Sequence, residues 1–174
     1  MKLMLDAANR SSNSTKALGV DPKVQPQFLE ICEQYGDQIT HIPSDSAEAF
    51  DKVREELSGE YLSLLFIDGD HTYDWVCHDL QKYAPLVAAG GLLIVHDYFD
   101  DQSVDTTEEL FARAGPRGWG VGTGCRQLIE NRDQWSMIEL PLLYPDSLEQ
   151  SRSEIPPVSR GSSTLRCFRR NEER

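Results

Sequence analysis

Positive charge is scarce in this sequence of 174 residues: 17 Lys and Arg stand against 29 Asp and Glu, a formal net charge of −12. A surface so acidic repels a nucleic-acid backbone or an anionic membrane, so neither is expected as the main partner. Long apolar runs are missing too, and none approaches the roughly 18 residues of a membrane span. The opening stretch from Met1 to Ser14 has one Lys before Leu3-Met4-Leu5 and then turns polar, which is not the pattern of a signal peptide. Cysteine is sparse and scattered over Cys32, Cys77, Cys125 and Cys167, without a C-x-x-C pair. That spacing excludes a disulfide framework and a zinc knuckle, and it suits a reduced, cytoplasmic chain. What remains is 39% hydrophobic and 26% charged, the make-up of a globular protein, at a length that fits one α/β domain over residues 1–174.

Short apolar runs alternate with helical stretches, the signature of a mostly parallel sheet. Strands are predicted at Lys16 to Val20, Gln38 to Ile42, Leu62 to Ile67 and Leu92 to Val95. The helices between them are predicted at Gln25 to Tyr35, Ser44 to Leu57 and Thr72 to Leu86, with Gly90-Gly91 as a turn. The run Leu62 to Ile67 is nearly all apolar, as a strand buried on both faces should be. Farther on, Thr106 to Ala114 and Cys125 to Arg132 read as helices. Trp135 to Leu140 and Ser163 to Arg169 read as two strands with no helix between them, so they should pair antiparallel and close one edge of the sheet.

Ligands of open parallel sheets bind beyond the carboxyl ends of the strands. Four successive predicted strands end in acid here: Asp21, Asp45, Asp68 with Asp70, and Asp97. Each has a plain reading beside a functional one. Asp21 precedes Pro22 and can start a turn, or it can accept hydrogen bonds from the two hydroxyls of a ribose. Asp45 can cap a helix, with Glu48 three residues on, or it can face an adenine amino group. Asp68, His96 and Asp97 fall at the ends of neighbouring strands, about 4.8 Å apart. They can cap those ends or converge on a divalent cation such as Mg²⁺, and the imidazole shifts the preference toward transition metals. His71 is a candidate general base for a substrate hydroxyl, or a residue that holds its loop. His41 and His78 read as ordinary strand and helix residues. Gly120-Val121-Gly122-Thr123-Gly124 lacks a preceding buried strand and a P-loop Lys, so it reads as a flexible loop rather than a phosphate cradle.

The run Phe66-Ile67-Asp68-Gly69-Asp70-His71-Thr72-Tyr73, continued by Asp79-Leu80, Pro85-Leu86, Gly90-Gly91 and Val95-His96-Asp97, resembles class I S-adenosylmethionine-dependent methyltransferases. The resemblance is to the small bacterial branch of macrocin O-methyltransferase-like and cephalosporin-hydroxylase-like proteins, and it is strong from about residue 17 to 98. It implies a Rossmann-like, doubly wound α/β fold with an antiparallel C-terminal strand. It also implies S-adenosylmethionine as cofactor and methyl transfer to an oxygen of a small molecule. Gly19-Val20-Asp21-Pro22 matches the motif whose acid holds the ribose, and Ser44-Asp45-Ser46 the motif that faces the adenine. The cofactor residues implied are therefore Asp21, Ser44, Asp45 and Asp68. His71 and Asp68 are the implied catalytic residues, and Asp68, His96 and Asp97 the implied metal ligands. His96 departs from the oxygen-only ligand sets of the family.

The start of the chain also departs. Relatives open with a strand and an E-x-G-x-x-x-G turn, whereas Leu5 to Thr15 contains no glycine. Only Ala8 to Lys16 joins a strand at Lys2 to Ala7 to the next, and a parallel crossover needs at least about 10–12 residues. A first strand at Lys2 to Ala7, an irregular link after it and weak cofactor binding are expected. Two rival readings follow: a shortened relative kept for binding or structure, and a metal-dependent hydrolase built on the Asp/His cluster. The sequence leaves the methyl acceptor and the oligomeric state, including a homo-oligomer, open.

Overall fold

The computed structural model describes residues 15–24, 26–98, 120–138 and 165–172. The chain divides into two compact units, Met1–Glu60 and Tyr61–Arg174. The expected strand at Lys2 to Ala7, its link and the helix at Thr106 to Ala114 lie outside the described residues.

In the first unit, β1 (Ala17–Val20) pairs parallel with β2 (Ile39–Ile42), with Ala17 opposite Ile39 and Val20 opposite Ile42. Between them runs α1 (Pro26–Tyr35), whose first position is a Pro that has no N–H to leave unsatisfied. Phe28 of this helix meets the His41 imidazole edge-on, ring centroids 5.0 Å apart. After β2 comes α2 (Ser46–Leu57), which buries Ala49 and Val53. Asp45 is its N-cap and accepts the Glu48 N–H at 2.9 Å.

In the second unit, four strands lie in the order β3-β4-β6-β5: β3 (Leu62–Ile67), β4 (Val87–His96), β5 (Trp135–Ile138) and β6 (Leu165–Arg170). β3 and β4 are parallel, while β6 runs antiparallel to both β4 and β5. The helix α3 (Tyr73–Tyr83) connects β3 to β4 and turns over a short 3-10 segment, Ala84–Leu86, at Pro85. A second helical stretch begins with α4 (Val121–Cys125) and widens into a π turn over Arg126–Glu130. Val76 and Leu80 of α3, Leu93 and Val95 of β4, Val121, Cys125, Ile129 and Phe168 form one buried cluster.

Two strands differ from the pattern expected of them. β4 starts at Val87 and not at Leu92, because Gly90, at φ +77°, forms an irregularity inside the strand instead of a turn before it. β3 is not buried on both faces, since Phe66 remains 41% exposed. Among the described residues β3 pairs on one side only, with β4. The antiparallel closing pair is as the sequence predicts. Arg170 secures it by donating from Nη1 to Pro85 O at 2.9 Å and also to Val87 O.

The core has a titration signature. Burial pushes the Cys125 thiol up to about 12 from an ordinary 9.0. Burial and the Glu130 carboxylate raise the Tyr98 hydroxyl to about 12 from 10.0. Both groups stay protonated in the fold at a pH where an unfolded chain has released them. Their contribution is therefore complete below about pH 9 and is lost as pH rises toward 12. The urea midpoint should hold steady up to about pH 8 and decline above about pH 9; a midpoint that rises across that range would contradict these assignments.

Candidate functional site

The second unit gathers four titratable side chains at the carboxyl ends of β3 and β4. Asp68 is the first residue after β3, and His96 is the last residue of β4. The ladder holds His96 opposite Leu165. Asp97 follows at φ +51°, a left-handed conformation that few non-glycine residues adopt. This bend presents both oxygens of its carboxylate to imidazoles, Oδ1 3.2 Å from His96 Nδ1 and Oδ2 3.4 Å from His71 Nε2. Asp68 Oδ1 lies 2.9 Å from His96 Nδ1 and 3.8 Å from His71 Nε2.

Local chemistry explains how His71 arrives there. Asp70 accepts the Thr72 N–H at 2.8 Å, an Asx turn that bends the chain into α3. The His71 carbonyl accepts the Gly120 N–H at 2.9 Å. The loop is thus held from both sides of the imidazole-bearing residue. Beneath it sits Asp79, buried on α3 with its carboxylate hydrogen-bonded to His78 Nδ1 at 3.2 Å. A Cβ on Gly69 would stand 3.5 Å from Asp79 Oδ2, so the Asp-Gly-Asp-His loop passes directly over this acid. Sequence reasoning assigned Asp79 no role. The available signal was an acid at helical spacing from the apolar Val76 and Tyr83.

The glycine-rich run is a packing device, not a flexible loop. A Cβ at Gly120 would lie 2.1 Å from Tyr73 Cα, and one at Gly124 would lie 3.0 Å from Val76 Cγ1. Glycine lets this segment rest on the first turns of α3 at a distance no side chain permits. Tyr73 strengthens the contact by donating from its hydroxyl to Gln127 Oε1 at 2.5 Å.

Three of these side chains could hold a cation, with Asp97 beside them. Asp68, His71 and His96 each offer a ligand atom within 4.8 Å of the others, and Asp97 adds its carboxylate at 3.2 Å from His96 and 3.4 Å from His71. His96 Nδ1 is buried and has no hydrogen bond among the described residues, and Asp68 Oδ1 lies 2.9 Å from it. A neutral imidazole nitrogen in that place can give its lone pair to a cation between the carboxylates. The structure thus groups His71 with Asp68 and His96, while Asp97 of the expected set Asp68, His96 and Asp97 lies beside both imidazoles.

The first unit holds the other candidates, at the carboxyl ends of β1 and β2. Asp21 is exposed, accepts the Lys23 N–H at 2.7 Å and donates its own N–H to Ile42 O at 3.3 Å. His41 Nε2 is hydrogen-bonded to the Asp21 carbonyl at 3.1 Å, a structural role that fits its plain reading. Ser44 donates to Glu48 Oε2 at 3.3 Å, so Ser44, Asp45 and Glu48 together build the start of α2. For Asp21 and Asp45 the turn and cap roles are therefore present. Neither role occupies the whole carboxylate, which has two oxygens able to accept several hydrogen bonds.

A parallel strand pair, a mixed sheet and acids at the carboxyl ends of the strands define a Rossmann-like α/β protein. The family model described as "Methyltransferase domain" matches residues 2–98, more than half of the sequence, and the chain belongs to that family. No curated protein gives a significant match. Among solved structures, a Corynebacterium glutamicum protein is similar at 14% identity and a TM-score of 0.59, over 92% of this chain and 62% of that one. A Klebsiella pneumoniae protein described as an O-methyltransferase gives 14% identity and a TM-score of 0.53, over 90% and 62%. The TDP-rhamnose 3'-O-methyltransferase CalS11 of calicheamicin biosynthesis gives 14% and 0.51, over 88% and 58%. The chain spans about three fifths of the length of these structures.

Proposed function

We propose that this protein binds S-adenosylmethionine and moves its methyl group to a hydroxyl oxygen of a small molecule. The observation that carries the reading is the convergence of Asp68, His71, His96 and Asp97 at the carboxyl ends of β3 and β4. The family match and the O-methyltransferase folds support it. Bound S-adenosylmethionine supplies an electrophilic methyl carbon and leaves as S-adenosylhomocysteine. A divalent cation on Asp68, His96 and Asp97 supplies positive charge that eases loss of the acceptor's proton. The chain itself has three tasks. Asp21 accepts from the ribose hydroxyls, Ser44 and Asp45 recognise the adenine, and Asp68 serves both cofactor and cation. His71 Nε2 takes the proton from the acceptor hydroxyl. The loop contacts at Thr72 and Gly120 keep that nitrogen in place, so little is lost to reorganisation.

The protein's setting follows from simpler features. The net charge of −12 argues against nucleic acid as the acceptor. No helix among the described residues is long and apolar enough to cross a membrane. All four cysteines are free, which suits work in the reducing cytoplasm.

Calorimetry with S-adenosylhomocysteine tests the cofactor half. Asp21→Ala should weaken binding by about 1.5–3 kcal/mol, the worth of hydrogen bonds to a charged acceptor. Asp21→Asn keeps an oxygen for the Lys23 N–H and so preserves the turn; it should lose most of the same affinity. Unchanged affinity in both variants would remove Asp21 from the cofactor site.

A further inference from the structure

We infer that His96 makes the cation site a nitrogen-containing one that selects Mn²⁺ or Co²⁺ over Mg²⁺. The inference rests on the cation assigned above. Ligand atoms about 2.1 Å from a metal and at right angles to each other lie about 3.0 Å apart, and tetrahedral ones about 3.4 Å. From His96 Nδ1 the two carboxylate oxygens, Asp68 Oδ1 and Asp97 Oδ1, stand at 2.9 and 3.2 Å, close to the right-angle spacing. His71 Nε2 stands 3.8 Å from Asp68 and 3.4 Å from Asp97, near enough that its share in the site has to be tested beside that of His96.

His96 Nδ1 is also well placed to be a ligand. It is buried, has no hydrogen bond among the described residues, and hangs from a backbone position locked opposite Leu165. A neutral imidazole in that position offers one directed lone pair. Mg²⁺ prefers oxygen and gives up its waters reluctantly, whereas first-row transition ions gain strongly from imidazole. Two carboxylates alone would serve either kind of ion, so the nitrogen is what separates them.

The test titrates Mg²⁺, Mn²⁺ and Co²⁺ into the metal-free full chain by calorimetry, for the parent, His96→Asp and His71→Gln. The parent should bind Co²⁺ at least about a hundredfold more tightly than Mg²⁺, and His96→Asp should cut that ratio at least about tenfold. The electron spin echo of the Mn²⁺-loaded parent should carry modulation from an imidazole nitrogen. That modulation should persist in His71→Gln and vanish in His96→Asp. Its absence from the parent would overturn the proposal without need of a folded variant. Its loss in His71→Gln instead would make His71 the ligand, and an unchanged Co²⁺/Mg²⁺ ratio in His96→Asp would remove His96 from selection. Failure of the parent to bind any divalent ion is a separate result, which would overturn the cation itself.

Discussion

Gly120→Ala is expected to cost the second unit about 3 kcal/mol or more, the upper end of what overpacking a well-filled site brings. The added methyl would meet Tyr73 Cα at 2.1 Å and Tyr73 N at 2.3 Å. These are backbone atoms at the head of a helix, so no rotamer change relieves the clash. Relief requires the segment to lift from α3, which breaks the Gly120 N–H bond to the His71 carbonyl. Gly124→Ala is the graded control. Its nearest neighbour is a valine methyl at 3.0 Å, which can shift, and a loss of about 1 kcal/mol is expected. Urea unfolding of the three proteins measures both values. Equal stability of parent and Gly120→Ala would show that the segment does not rest on α3 as described.

The largest effect on catalysis should come from His71→Ala, with kcat falling about 10²–10⁴-fold, as expected when a positioned general base is removed. The variant should keep its fold, because the Asx turn at Asp70 and the Gly120 hydrogen bond involve no atom of the imidazole. Affinity for S-adenosylhomocysteine should stay within about twofold, since none of the cofactor-holding roles falls to this side chain. A variant that turns over within a few-fold of the parent would mean that the acceptor loses its proton elsewhere.

The elements legible in the sequence are those whose cause is local. Leu62 to Ile67 is a strand with the predicted bounds, because an unbroken apolar run stops at Asp68-Gly69. Asp45 and Glu48 announce the start of α2 through a cap that lies within four residues. The acids at the strand ends follow from the same reading, since an α/β alternation fixes where the carboxyl ends fall. Features that depend on distant partners were hidden. Gly120 owes its identity to Tyr73, 47 positions earlier, and a glycine-rich string alone looks flexible. The left-handed turn at Asp97 that brings its carboxylate to His71 is hinted at only by an Asp, a residue type that tolerates this conformation but seldom adopts it. Nor does the sequence show that His96 Nδ1 is buried without a hydrogen bond while its ring remains partly exposed.

The strand order has a consequence for biosynthesis. β6 lies between β4 and β5, so β5 waits for a partner until the ribosome has delivered Leu165 onward. Until then β4 carries one bare edge, and Phe168, at the centre of the buried cluster, is missing. The β3–β4 pair needs only the intervening α3 and can form well before that. The nascent chain therefore aligns the strand ends that bear Asp68 and His96 while its hydrophobic interior is still exposed. Such an open sheet edge invites pairing with other chains. During synthesis this protein is most in need of a chaperone between the appearance of β4 and the arrival of β6.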